Sequence, residues 1–100
     1  MHVFVIGDED TVAGFRFAGV AGTAVESAEQ AAQALEQSVR RGDTVVIVPE
    51  RVAEMIRRDI DRIRFGAAEP LIVEIPGREG PLSERPSLFR LVREAVGIKF

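Results

Sequence analysis

A chain of 100 residues, 46% hydrophobic and 29% charged, has the size and balance of one globular domain with a modest core, and no apolar run approaches the roughly 20 residues of a membrane span. A formal charge of −3, with no Trp or Tyr to stack on bases, argues against a nucleic-acid partner. The absence of cysteine and the single histidine, His2, exclude disulfides, thiolate nucleophiles, Cys- or His-rich zinc sites and a Ser-His-Asp triad.

The N-terminus, "MHVFVIGDED", has no basic leader and no small-residue cleavage site, so Val3 to Ile6 reads as a buried strand rather than a signal peptide, and a cytoplasmic location is expected. Gly7 ends that strand, and three acids follow at Asp8, Glu9 and Asp10. A helix is expected to start after Asp10, which would cap it, with Val12, Phe15 and Phe17 inward and an end near Gly19. Gly19 to Val25 is rich in small residues and reads as a short edge strand. Ser27, with Gln30 three residues on, forms a capping box. It opens a helix with Ala28, Ala31, Ala32, Leu35 and Val39 on one stripe, closed by Arg40, Arg41 and Gly42.

Thr44 to Pro49 is a β-branched run of the kind found in buried parallel strands. Next, "PERVAEMIRRDIDRIRFG" predicts one long helix with Pro49 in its first turn. Val52, Met55, Ile56, Ile60 and Ile63 would face inward, and Glu50, Glu54, Arg58, Asp61 and Arg62 outward. Arg51, Arg57, Arg58, Arg62 and Arg64 interleave with Glu54, Asp59 and Asp61, which is the pattern of a solvated, ion-paired face. Pro70 to Ile75 is another buried-strand pattern. "PGREGPLSERPS", Pro76 to Ser87, then has linker composition. It leads to "SLFRLVREAVGIKF", where Ser87 is a candidate cap and Leu88, Phe89, Val92, Ala95 and Val96 form an apolar stripe. Strands alternating with helices imply right-handed βαβ units and an open parallel α/β sheet of about four strands with flanking helices. The expected organisation is a core over residues 1–76, a linker over 77–87 and a tethered amphipathic helix over 88–100.

Acids just past the carboxyl end of a buried strand raise the question of chemistry. A receiver (flavodoxin-like) domain holds a metal with such acids, but it also needs a phospho-accepting Asp after its third strand and a Lys late in the domain. Here the acceptor position offers Pro49 and Glu50, and the single Lys is Lys99 in the tail. The fold is therefore read as receiver-like without phosphotransfer. Gly7 is the one glycine in the first strand-to-helix turn, and no Gly-Lys-Ser/Thr sequence occurs, so a phosphate-cradling loop is missing. No metal or other cofactor is expected. Two readings of the acids remain: helix caps on a solvated turn, or a polar patch against a partner. Ala13, Gly14, Ala18 and Gly19 beside them would let a partner backbone approach, although packing on the protein's own sheet explains them equally well. The terminal helix offers apolar burial comparable to the entropy lost in ordering it, which suits exchange between its own domain and a partner's groove.

"GDEDTVAGFRFAGV" (Gly7 to Val20), "ERVAEMIRRDIDRI" (Glu50 to Ile63), "PLIVEIPG" (Pro70 to Gly77) and "VREAVGIKF" (Val92 to Phe100) span nearly the whole chain. In this order they resemble the F subunit of V-type and archaeal A-type rotary ATPases/ATP synthases. Pro49, where that family often has Thr or Ser, and Phe17, where Leu is common, are the departures. The resemblance implies a non-catalytic rotor part on the central stalk, bound to the coiled-coil D subunit. The B subunit and the stalk adaptor of the membrane sector would be further neighbours. Such a part couples ATP synthesis or hydrolysis to proton or sodium movement from a cytoplasmic position peripheral to the membrane, without inserting into it. Its C-terminal helix would move between retracted and extended positions and regulate the ATPase. Partner contacts are expected at Asp8, Asp10 and Phe15, and in the tail at Phe89, Val92, Val96 and Phe100. The alternative is a stand-alone receiver-like signalling module that binds proteins without phosphorylation.

Overall fold

Four short β-branched or small-residue runs line up side by side in a computed structural model that describes residues 2–66 and 69–77. In chain order the elements are β1 (Val3–Gly7), α1 (Glu9–Phe17), β2 (Ala21–Ala24), α2 (Ala28–Arg41), β3 (Val45–Pro49), α3 (Glu50–Met55), α4 (Arg57–Gly66) and β4 (Leu71–Ile75). The strands form one parallel sheet in the order β2-β1-β3-β4. This is the receiver-like α/β arrangement expected from the alternation of strands and helices, with the small-residue strand β2 at an edge. The expected linker and terminal helix lie, from residue 78 onward, outside the described residues.

Register fixes two unequal faces. Phe4 and Ile6, Val46 and Val48, and Ile72 share the face covered by α2, α3 and α4, where they meet Ala31, Leu35, Val52, Ala53, Ile56 and Ile60 in the main core. On the other face Val5 stands beside Gly22 and Ile47, and Ile47 beside Val73. α1 covers the β1–β2 half of that second face through Val12. Leu71 remains 60% exposed and Val73 36% exposed, so the β4 end of this face has no cover among the described residues. β4 thus departs from the expected fully buried strand, because it is an edge strand with a helix layer on one side.

Local chemistry explains most element boundaries, with four corrections. Asp8, not Asp10, is the N-cap of α1, in extended backbone one residue after the strand. Phe17 is 92% exposed rather than inward, since a helix turns about 200° between Phe15 and Phe17 and the two cannot share a face. The buried stripe of α2 is Ala31, Ala34, Leu35 and Ser38, while Ala28 and Val39 face out. Small Ala and Ser side chains let that helix sit close on the sheet, and the Ser38 hydroxyl is satisfied by donating to Asp43 at 2.6 Å. Finally, the long helix expected over 49–66 is broken at Ile56, leaving Glu50 buried and Met55 exposed.

Caps close the helices as the composition suggests. Ser27 accepts from the Gln30 N–H at 3.1 Å, and the Gln30 side chain accepts from the Glu26 N–H at 2.7 Å. α1 and α2 both end in Schellman turns. Val20 N–H returns to Phe15 O at 2.9 Å and Asp43 N–H to Ser38 O at 3.2 Å, with Gly19 and Gly42 at φ +88° and +82°.

Candidate partner-binding surface

Asp8 leaves β1 at the carboxyl end of the sheet, which places the acids beside the end of β3. At that junction a Cβ added to Gly7 would lie 3.0 Å from both Cδ and Cγ of Pro49. The proline ring therefore fills the space next to Gly7 where a receiver keeps its acceptor carboxylate. Glu50, the following residue, is buried in the first turn of α3. No group of three or more His, Cys, Asp or Glu side chains converges as a metal site among the described residues.

The acids have distinct surroundings. The half-buried Asp8 carboxylate accepts a hydrogen bond from the Thr11 hydroxyl, and the Asp8 carbonyl accepts from Val12 N–H at 3.0 Å. Glu9 and Asp10 are exposed in the first turn of α1, where negative charge complements the positive end of the helix dipole. Phe15 is half-buried and lies toward the other end of the same helix. The structure thus places Asp8, Asp10 and Phe15 on one element. Phe89, Val92, Val96 and Phe100 lie outside the described residues.

The orientation of the small residues bears on why they are small. Ala13, Gly14, Ala18 and Gly19 are all exposed, and a Cβ on Gly14 would meet none of the described residues within 4 Å. They do not pack on the protein's own sheet. Gly22 of β2 does, for a Cβ there would come within 2.2 Å of Val5 Cγ1. Together with Phe17, these residues give the outer side of α1 a small, apolar part among the exposed Glu9, Asp10 and Arg16, and β2 continues it as an edge strand carrying Ala21, Thr23 and Ala24 at the surface. Sequence reading missed Phe17 as part of this surface, although its two-residue offset from Phe15 carried the signal.

Charge is handled elsewhere. Asp43 is buried, and burial opposes its ionisation more than any single neighbour favours it; hydrogen bonds from Arg41 and Ser38 and the Arg41 charge together outweigh this and hold the carboxyl below its ordinary range. Arg41 also stacks over Phe4 at 4.2 Å from the ring centroid. On the β4 side, Arg57 donates to Glu74 at 2.5 and 2.7 Å, which keeps Glu74 below the usual carboxylate range against its partial burial and raises the Arg57 guanidinium.

Comparison with known proteins agrees with the fold and with the resemblance. The sequence profile of the ATP synthase (F/14-kDa) subunit matches residues 3–92. The A-type ATP synthase F subunit of Methanothermobacter thermautotrophicus is 36% identical over 98% of this chain and 94% of its own length. The F subunit of a Methanococcus maripaludis strain is 40% identical over 98% and 97%, and that of Pyrococcus abyssi 38% over 99% and 97%. The crystal structure of the V-type ATP synthase F subunit of Archaeoglobus fulgidus superposes with a TM-score of 0.61 at 31% identity, covering 74% of this chain and 95% of that one. A receiver-like sheet without an acceptor and full-length similarity to these proteins lead to one assignment: the chain belongs to the family of the ATP synthase (F/14-kDa) subunit.

Proposed function

We propose that this chain is a non-catalytic part of the central stalk of an A/V-type ATP synthase, and that it works by binding the coiled-coil D subunit. The observation that carries this reading is the outward small-residue side of α1, Ala13, Gly14, Phe17 and Gly19, which lets a partner backbone come close. Asp8 and Asp10 at the start of the helix add polar contacts to that surface, and the half-buried Phe15, on a different face of the helix from Phe17, is proposed as an apolar contact beside it. In this role the protein helps couple ATP synthesis or hydrolysis in the head to proton or sodium transport. It is peripheral to the membrane on the cytoplasmic side, with the B subunit and the stalk adaptor as neighbours. The described residues include no helix long and apolar enough to cross a membrane, which is compatible with such a position.

The segment 88–100 is proposed as a regulatory helix on a linker formed by residues 77–87, with Phe89, Val92, Val96 and Phe100 as its contact residues. The open sheet face around Leu71 and Val73 supports an own-core seat for it, since its Leu88, Phe89, Val92 and Val96 stripe is apolar as that face is.

Gly14→Arg tests the surface. Among the described residues the position has no neighbour within 4 Å of an added Cβ, so the fold should accept the substitution while the partner side is blocked. Light scattering behind size exclusion should give a one-to-one complex of the wild-type chain with the D subunit of the same organism. The variant should bind at least about tenfold more weakly, a change of about 1.4 kcal/mol. A Gly14→Arg chain that binds the D subunit like wild type rejects the surface, and a wild-type chain that stays monomeric beside an intact D subunit rejects the stalk role.

A further inference from the structure

We infer that the bend between α3 and α4 is an ion-paired latch, in which Glu74 on the edge strand β4 holds Arg57 and keeps residues 50–66 as two helices rather than one. Between Glu50 and Phe65 there is neither Gly nor Pro, and Val52, Ile56, Ile60 and Ile63 recur at a spacing that a single unbroken helix satisfies. A break in such a segment needs a cause from outside the local sequence. It falls at Ile56, at φ −125° and ψ 33°. The Ile56 N–H donates to Ala53 O at 3.1 Å, a tight three-residue closure. In a continuous helix that carbonyl would accept from Arg57.

Arg57 comes directly after the break, and its guanidinium reaches across it in both directions. It donates to both Glu74 oxygens, at 2.5 and 2.7 Å, and to Glu54 of α3 at 2.9 Å. Arg64, a later residue of α4, donates to Glu74 at 3.2 Å and to the Ile72 carbonyl at 2.7 Å. α4 is therefore fastened to β4 at two points, and the first is the residue at which a straight helix would have to pass. Met55, the last residue of α3, is left 42% exposed, although helical spacing puts it with the apolar stripe. The Glu74, Arg57 and Arg64 side chains are 17%, 31% and 40% exposed, so a charged group arriving at the β4 edge can compete for them. A contact at the sheet edge is thereby read out as the shape of the neighbouring helix pair.

Amide exchange by NMR on the full chain tests this, with Glu74→Gln removing the charge and keeping the shape. Once the latch is open, Arg57, Arg58 and Asp59 gain the carbonyls of Ala53, Glu54 and Met55 as acceptors. Their exchange should slow by about tenfold or more while the Ile56 Cα shift moves to a helical value. If these amides exchange as in wild type, or faster, with the rest of the protection pattern intact, packing sets the bend and the latch is rejected. Should Glu74→Gln not fold, Arg57→Met leaves the Glu74–Arg64 pair in place and carries the same two readouts, with the same outcomes for and against.

Discussion

Glycines 14 and 22 lie eight positions apart in sequence and have opposite reasons to be glycine. Gly22 is demanded by the protein's own packing: a Cβ would stand 2.2 Å from Val5 Cγ1, 2.7 Å from the Val5 carbonyl oxygen and 3.2 Å from Val12 Cγ1. The backbone oxygen cannot step aside, so Gly22→Ala should destabilise by about 1–3 kcal/mol. Gly14 sits inside a helix with open space around it, where glycine costs stability relative to alanine. Gly14→Ala should raise stability by about 0.5–1 kcal/mol. Both are read from denaturant midpoints at unchanged m-value. A Gly14→Ala chain less stable than wild type would mean that the outer side of α1 is covered by some part of the chain itself. A residue that lowers stability in the free chain and faces outward fits a partner surface better than it fits a core.

At the scale of elements, two carboxylates tie neighbours together. Asp43, in the turn between α2 and β3, is held to α2 through Ser38 and Arg41, and Glu74 links β4 to α4 through Arg57 and Arg64, with Arg57 also reaching Glu54 of α3. Each ionises more readily in the folded chain than in the unfolded one, so the folded state binds fewer protons in the acid range. The stability they add is fully present above the ordinary carboxylate values of about 4, and is lost as pH falls through the lowered folded values. Melting temperature against pH should therefore fall on the acid side, and Asp43→Asn or Glu74→Gln should each make that limb shallower while leaving the profile near neutral pH flat. Parallel acid limbs in wild type and variants would show that these pairs do not carry the pH dependence. The same elements show what was legible in the sequence. Ser27, Gln30 and Gly42 bound α2 as their local chemistry dictates, and the β-branched runs became strands with β2 at an edge. The bend at Ile56 was not legible, because its partner Glu74 lies 17 residues from Arg57 and on another element. The burial of Glu50 was hidden for the same reason, since helical periodicity within 50–65 carries no information about where the segment starts against the sheet. For the candidate surface, the composition drew attention to α1, but only tertiary placement could turn Ala13 and Gly14 outward.

The whole molecule is lopsided. Among the described residues three helices cover one side of the sheet, and α1 alone covers part of the other, leaving Leu71 and Val73 at the surface with the half-buried Val45, Ile47 and Ile75 on the same face. Among the described residues the main core lies on the three-helix side and reaches no further along the chain than Ile72, and a core of that make-up should fold without the tail. A chain ending at Gly77 should unfold in one cooperative transition, with well-dispersed methyl signals and protected amides in β1 and β3. If segment 88–100 seats on the open face of the free protein, that truncation should also expose apolar surface, seen as stronger hydrophobic-dye binding and faster exchange at the Leu71 and Val73 amides than in the full chain. Equal dye binding and equal exchange would mean that the segment does not rest there. A molten fragment with collapsed methyl dispersion would mean instead that the tail belongs to the core, and a regulatory helix free to leave its seat would then be ruled out. The distinction bears on the rotor role, because a helix can be lent to a partner only by a domain that stays folded without it.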